Sequence, residues 1–344
     1  MSARRSWPRR AAIALAVLLV AIGAAGGYLL GTYDPPAVDP AWAVDASSDI
    51  PRGAVTVRWT GTATLVFSDG ETTWMTDGWF SRPGPLALLG GKIAPDVDAI
   101  ERGLARNQVE KLAVVFPVHS HYDHAMDAPE VARRTGALLL GSESTANIGR
   151  GWGLPEHQIR VVRDRERILV GRFLITPIAS RHFEFPDPAL RERALGDPDI
   201  SSPLVPPAKV FAYKVGVAWV LHVAHPKGSF LVVASAGYLE GALEGFAADT
   251  IFLGTGGLGS QTPDYREAYW RETVVPTHPK RIIPIHWDSL TAPIEGPFRG
   301  PLRAEGFLSR GSDATLAFLK AKQSANPGLT FATLPRYEPV VLFR

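Results

Sequence analysis

Pro117-Val118-His119-Ser120-His121-Tyr122-Asp123-His124 continues the apolar run Leu112 to Val118, which reads as a buried strand. Three of the chain's nine histidines fall inside these eight residues. On extended backbone, residues two apart project to the same side, so His119 and His121 form a pair; a helix would separate them. Asp123 and His124 then come from the turn after the strand, where adjacent side chains can face different points of one cavity. Imidazole nitrogen and carboxylate oxygen suit zinc first, with manganese or iron(II) as alternatives. The chain has no cysteine, so thiolate ligands, disulfides and a cysteine nucleophile are all excluded. A cation held by such groups lowers the pKa of its water to ~7, which makes hydrolysis the natural chemistry.

Outward from this string, Val55 to Trp59, Ala63 to Phe67 and Thr72 to Thr76 read as strands of a meander, with Ser68-Asp69-Gly70-Glu71 as a hairpin turn. Asp96 to Asn107 reads as an amphipathic helix, Ala128 to Thr135 as a second helix and Ala137 to Leu140 as a strand. The second half repeats the style. Strands are expected at Phe173 to Ile178, Lys209 to Val215, Ala218 to Val223 and Ser229 to Ala234, with turns at Lys214-Val215-Gly216-Val217 and His225-Pro226-Lys227-Gly228. Buried strands follow at Thr250 to Leu253 and Arg281 to Ile285, with a helix near Asp264 to Glu272. Two blocks of this kind predict two packed sheets covered by helices, an αββα sandwich, although a three-layer α/β fold would give the same periodicity.

At the histidine string the sequence resembles the metallo-β-lactamase superfamily of metal-dependent hydrolases, over most of Arg52 to Trp287. Trp59-Thr60-Gly61-Thr62-Ala63-Thr64 is similar to the opening strand-turn of its lactonase-like and N-acyl-phosphatidylethanolamine phospholipase-like branch. Thr76-Asp77-Gly78-Trp79-Phe80 resembles its strand-Asp-Pro-Phe element, with Gly78 where proline is usual. The resemblance implies the αββα sandwich with metals at one edge. It also implies His119 and His121 as ligands of a first metal, joined by His182 of Ala179-Ser180-Arg181-His182-Phe183, and Asp123 and His124 as ligands of a second, joined by His286 of Pro284-Ile285-His286-Trp287. The family's bridging aspartate is missing: Ser235 stands in its place, before Gly237-Tyr238. Two divalent ions bring four positive charges, and a neutral serine offsets none of them, so the second metal is expected to bind less tightly. One ion, a weakened pair and a degenerate site without catalysis are the three resulting readings.

Tyr122, Glu184 and Asp288 neighbour these residues and are candidates to touch substrate or to orient ligands. His157, His222, His225 and His278 are assigned ordinary structural roles. Gly254-Thr255-Gly256-Gly257-Leu258-Gly259 has no lysine to meet a phosphate and reads as a wall of the site.

The amino terminus is an address. Arg4, Arg5, Arg9 and Arg10 precede the uncharged run Ala11 to Tyr33, whose apolar core Ala11 to Leu30 has the ~20 residues needed to cross a bilayer. The charge bias keeps residues 1–10 in the cytoplasm and sends the rest outward. Residues 11–33 are thus a signal anchor, or a signal peptide if Ala41-Trp42-Ala43 is cut. Residues 34–50, with Pro35, Pro36 and Pro40, read as a semi-rigid spacer, and 51–344 as the hydrolase domain. A net charge of +2 gives no field that would recruit nucleic acid. The sequence therefore predicts a membrane-anchored, extracytoplasmic metallo-hydrolase. Asp123 would orient the nucleophile or take up a proton, and His121 would complete the catalytic group, acting on an ester, lactone or phosphodiester of a small-molecule or lipid-derived substrate.

Overall fold

The computed structural model describes residues 6–306 and 310–344; Arg4 and Arg5 of the basic segment lie outside them. Each half of the sandwich begins as an antiparallel meander and ends in parallel strands. In the first sheet Val340–Phe343, Val55–Gly61, Thr64–Ser68 and Thr73–Thr76 pair antiparallel, and Val114–Phe116, Leu138–Gly141 and Ile159–Val161 continue it in parallel. In the second sheet Ile168–Val170, Phe173–Ser180, Ala218–His225 and Gly228–Val233 are antiparallel, followed in parallel by Thr250–Gly254, Arg281–Ile285 and Thr330–Phe331.

The two sheets meet through large rings. Phe67 of the first sheet stacks on Phe230 of the second at 4.4 Å and meets Phe252 edge-on at 5.4 Å, while Trp74 stacks on Phe67 at 4.7 Å. All four are fully buried. Helices Val97–Arg106 and Ala128–Thr135 cover the other face of the first sheet, burying Ile100, Leu104, Val131 and Ala132 with Met75 and Val115. Pro263–Thr273 and Ser312–Ala325 contribute Tyr269, Trp270 and Leu319 to the main core. This is the predicted αββα order. Asp96 caps its helix by accepting from the Ala99 N–H at 3.0 Å, and Gly136, at φ 72°, closes Ala128–Thr135.

Two expectations fail. Lys209 to Val215 is not a strand of the main sheet: Ala208–Lys209 pairs with Lys92–Ile93, and Val210–Ala212 turns into a 3-10 helix. The Lys214 to Val217 segment consequently makes no hairpin. It crosses the sheet edge, where the Val215 carbonyl accepts from the Ser120 N–H and the Val118 carbonyl accepts from the Trp219 N–H. A short apolar run has no period of its own, and this one is apolar because it faces a cavity. Residues 34–50 are not a spacer either. Ala37, Val38 and Trp42 belong to the main core, Trp42 packs on Phe331 at 4.9 Å, and its indole N–H donates to Gln323 Oε1 at 2.9 Å. Proline announced extended backbone; Trp42 supplied the reason for that backbone to lie on the body.

The helix Ser6–Gly31 contains Arg9–Gly31, long and apolar enough by length and composition to cross a membrane, with mean hydropathy 2.4 and none of its span buried.

Candidate metal centre

The strand Val114–Phe116 delivers Val118 and His119 in extended form, and His121 precedes the single helical turn Tyr122–Ala125. His119 and His121 lie side by side, with His119 Nε2 3.1 Å from His121 Nδ1. His182, just past Phe173–Ser180 in the opposite sheet, brings its ring to 5.0 Å from His119 and 4.8 Å from His121. Its Nδ1 donates to the Phe183 carbonyl at 2.8 Å, which leaves Nε2 with a free lone pair.

Asp123, His124 and His286 form the second group, and in each group one donor atom per residue lies within 4.8 Å of the others. The separations are 3.2 Å from His124 Nε2 to His286 Nε2, 3.4 Å from Asp123 Oδ2 to His124 Nε2 and 3.3 Å from Asp123 Oδ2 to His286 Nε2. Ligands ~2.0–2.2 Å from a tetrahedral ion stand roughly 3.3–3.6 Å apart, so this triangle has the size of a coordination face. The chemistry of the donor set agrees, since two imidazole nitrogens facing one carboxylate oxygen share a cation better than a proton. The His119 and His124 rings are 3.8 Å apart, so both groups belong to one centre.

Electrostatics separate the groups. Burial, reinforced by neighbouring histidines, holds His119 and His182 well below the usual imidazole range. Burial also takes His121 down to about 4, against the pull of Asp123. All three are therefore neutral at pH 7, the form that binds metal. Burial opposes charge on His124 as well, but Asp77 and Asp123 outweigh it and raise its pKa. For Asp123, burial favours the neutral acid, yet His124, His286 and His121 together hold it as a carboxylate below its ordinary range.

Asp77 is the support that the motif reading left without a role. Its Oδ2 accepts from His124 Nδ1 at 2.8 Å and its Oδ1 from the Val118 N–H at 2.9 Å, so it orients both a donor ring and the strand end. Asp77 has φ 58° and Gly78 φ 94°, and proline could not adopt the latter, which accounts for glycine there. At the other end, the His286 N–H donates to the Thr62 carbonyl at 2.9 Å. Asp288 Oδ1 accepts from the Thr62 N–H at 2.6 Å, joining the opening turn to the closing element.

The remaining candidates divide. Tyr122 lines the cavity and meets Trp79 edge-on at 5.5 Å. Asp288 is buried in its bond to Thr62 and its ion pair with Arg82, and is not among the cavity-lining residues. Glu184 is exposed, paired with Arg191 at 3.0 Å, and borders a surface hollow that His182 and Phe185 also line. Asp288 acts on His286 only through Thr62, as a residue that orients the ligand loop, and Glu184 lies beside His182 on its solvent side. Ser235 faces the cavity, and its Oγ accepts from the Phe183 N–H at 3.2 Å. Gly256 joins the wall, as the glycine-rich stretch suggested. His222 bonds to the Ala247 carbonyl at 3.0 Å and His225 to Asp69 at 3.3 Å, both roles internal to the fold.

From the donors a cavity of about 310 Å³ runs between Leu88, Leu89, Phe185, Leu190 and Phe211, with Glu305 on its wall. Glu305 accepts from Ser289 Oγ at 3.0 Å, Thr291 Oγ1 at 2.8 Å and the Leu302 N–H at 3.0 Å, and burial raises its pKa. Sequence reasoning missed it because a single glutamate in an irregular segment carries no periodic or spacing signal.

No family model matches the chain. Among curated proteins it is 32% identical over 145 residues to a UPF0173 metal-dependent hydrolase of Myxococcus xanthus (strain DK1622), 42% of this chain and 44% of that protein. Over 108 residues it is 32% identical to a UPF0173 metal-dependent hydrolase of Anaeromyxobacter sp. (strain K), 31% of this chain and 34% of the relative. The chain thus spans less than half the length of these relatives. Among solved structures, Igni18, a metallo hydrolase of Ignicoccus hospitalis, superposes with a TM-score of 0.51 at 14% identity, covering 85% of this chain and 99% of that one. The metallo-β-lactamase fold protein YhfI of Bacillus subtilis has a TM-score of 0.44 at 11% identity over 83% of this chain and 99% of its own. The chain thus shares its fold with Igni18, two packed sheets with the candidate donors gathered at one edge.

Proposed function

We propose that the chain is a metal-dependent hydrolase held at the outer face of the cytoplasmic membrane by its amino-terminal helix. The observation that carries this reading is the pair of three-donor groups at an apolar cavity that His119, His121, Asp123, His182 and His286 help to line. His119, His121 and His182 would hold a first ion, zinc because three neutral imidazoles suit a borderline cation, and Asp123, His124 and His286 a second, weaker one. When bound, such a cation supplies a nucleophilic water ionised near pH 7 and polarises the oxygen of the scissile group.

The chain's own residues do the rest. Asp123 is kept ionised by three histidines, so its carboxylate can hold the second ion and orient the nucleophile. Asp77 fixes the His124 ring, and the Leu88, Leu89 and Phe211 walls exclude water from an apolar part of the substrate. An ester, lactone or phosphodiester carrying an acyl or similarly apolar group fits these walls. The test is hydrolysis of 4-nitrophenyl acyl esters, acyl lactones and bis(4-nitrophenyl) phosphate by the metal-loaded full chain. Turnover that disappears in His121→Ala and Asp123→Asn supports the reading; turnover retained in both overturns it.

A second reading rests on Ser235, which leaves the centre without the carboxylate that would hold two cations close together. It makes the chain a metal-binding protein without catalysis. Metal bound at one ion per chain with no turnover of the same three substrate classes would favour it.

Uncleaved anchoring is supported by the packing of Trp42 in the main core, since a cut after Ala43 would remove a core side chain.

A further inference from the structure

The short helix Pro85–Gly90 has no buried residue. Ala87 and Leu88 pack against the small cluster around Trp79, Ile93 and Tyr213, while Leu86 and Leu89, one helical turn apart, are 70% and 71% exposed. A helix that turns its leucines outward in pairs is inverted for water. The same helix supplies Pro85, Leu88 and Leu89 to the rim of the cavity.

The exposed helix Arg9–Gly31 ends on another part of that rim. The Leu29 carbonyl accepts from the Ala304 N–H at 3.0 Å, the Thr32 carbonyl from the Arg303 N–H at 3.0 Å and the Pro301 carbonyl from the Asp34 N–H at 2.8 Å. Arg303 pairs with Asp34 at 2.6 Å and lies over Tyr28, and Arg299 lies over Tyr33. Tyrosines and arginines of this kind sit at the level of lipid headgroups. Ala304 and Glu305, immediately beside these bonds, line the cavity. With residues 34–50 packed on the core, no slack separates the membrane helix from the body, so the body's orientation is fixed by its own hydrogen bonds.

We propose that the mouth of the metal-centre cavity is docked on the bilayer that holds the amino-terminal helix, with Leu86 and Leu89 dipping into its acyl region. The partner is the lipid surface itself, and an apolar chain reaches the donors from the membrane without crossing water. This rests on the anchor reading and deepens the hydrolase reading by giving the cavity its source of substrate.

The absence of native cysteine makes the test direct. Leu86→Cys and, on the same face, Leu89→Cys each give a single thiol for an environment-sensitive fluorophore. Glu71→Cys does the same in the turn between Thr64–Ser68 and Thr73–Thr76, at the end of those strands away from Asp77 and the donors. The full chain is reconstituted into phosphatidylcholine vesicles, with and without a nitroxide on the acyl chain. The expected result is a blue shift and about two-fold loss of emission at 86 and 89 with none at 71, the pattern of an apolar face buried at the acyl boundary. Equal emission at all three positions in vesicles that carry the protein on flotation overturns the docking and leaves the anchor standing. Failure of the protein to float with the vesicles overturns both.

Discussion

Ser235 shows how one side chain sets the charge balance of the centre. Its hydroxyl already holds the Phe183 N–H and offers no formal charge to a cation. Ser235→Asp is expected to tighten the second ion by roughly tenfold or more, since affinity follows the charge of the ligand set; metal titration followed by ions per chain checks it. Asp77→Asn acts on the same ion from behind. It weakens the support of His124 and is expected to cost ~10–100-fold in affinity for the second ion with little effect on the first. The pH dependence has a definite sign. His119, His121 and His182 have lowered pKa values, so protons do not compete for them at neutral pH, whereas His124 is raised and must give up a proton to bind. As pH falls below neutrality the second ion should leave first, measured as ions per chain at stepped pH. At this scale the six candidate donors, which the structure gathers into two groups, were read from residue type, spacing and the superfamily resemblance. Asp77 was visible in its motif, but its bond to His124 required coordinates, as did the link from Asp288 through Thr62 to His286.

Among the elements, the turn after Val55–Gly61 leaves no room for a side chain. Gly61 has φ 132°, and a Cβ there would stand 2.4 Å from Asp288 Oδ2 and 2.6 Å from an Arg82 guanidinium nitrogen. Gly61→Ala should destabilise the fold by about 1–3 kcal/mol through backbone strain and loss of the bond between Asp288 and Thr62. Urea midpoints and ions per chain would report both effects, because Thr62 also holds His286. Helix Ala128–Thr135 carries a pH-sensitive contact of its own. Although burial favours the neutral acid, Glu130 accepts from Arg133 and Arg134 at 2.7 Å and from the Trp152 indole at 2.9 Å, which takes its pKa from 4.5 to about 2. A depressed acid stabilises the fold above its unfolded value and loses that contribution as pH falls through the folded one. Glu130→Gln should therefore be less stable than the unsubstituted chain above roughly pH 5, with the difference shrinking towards pH 2, read from chemical unfolding at each pH. The helix itself was read with its observed limits, Ala128 to Thr135, because its apolar face and terminal Gly136 are local signals. Lys209 to Val215 was misread because its apolar residues answer to a cavity assembled from distant segments.

Across the whole molecule, the donors tie the two sheets together. His119 to His124 follow the first sheet's Val114–Phe116, while His182 and His286 follow strands of the second. A bound ion is thus a cross-link between layers, and its removal should lower the thermal midpoint. At a free concentration a hundred times its Kd, one ion contributes ~2.7 kcal/mol to stability. Thermal scans with and without a chelator, followed by restoration with zinc, test this; an unchanged midpoint would mean that the donors hold no ion under those conditions.

What the sequence determined by itself was everything with a short-range signature: alternation for the strands, the helical period, the turn residues, the spacing of the histidine string and the unbroken apolar amino-terminal run. What only the tertiary structure decided was how segments far apart in the chain come together. It placed Trp42 on the core, joined Asp288 to His286 through Thr62, put Asp77 behind His124, and set Leu89 and the segment that meets the end of the amino-terminal helix around one cavity. Periodicity and composition report how each residue meets its local environment. Which surfaces then face each other depends on packing two sheets and their helices at once, a constraint distributed over the entire chain.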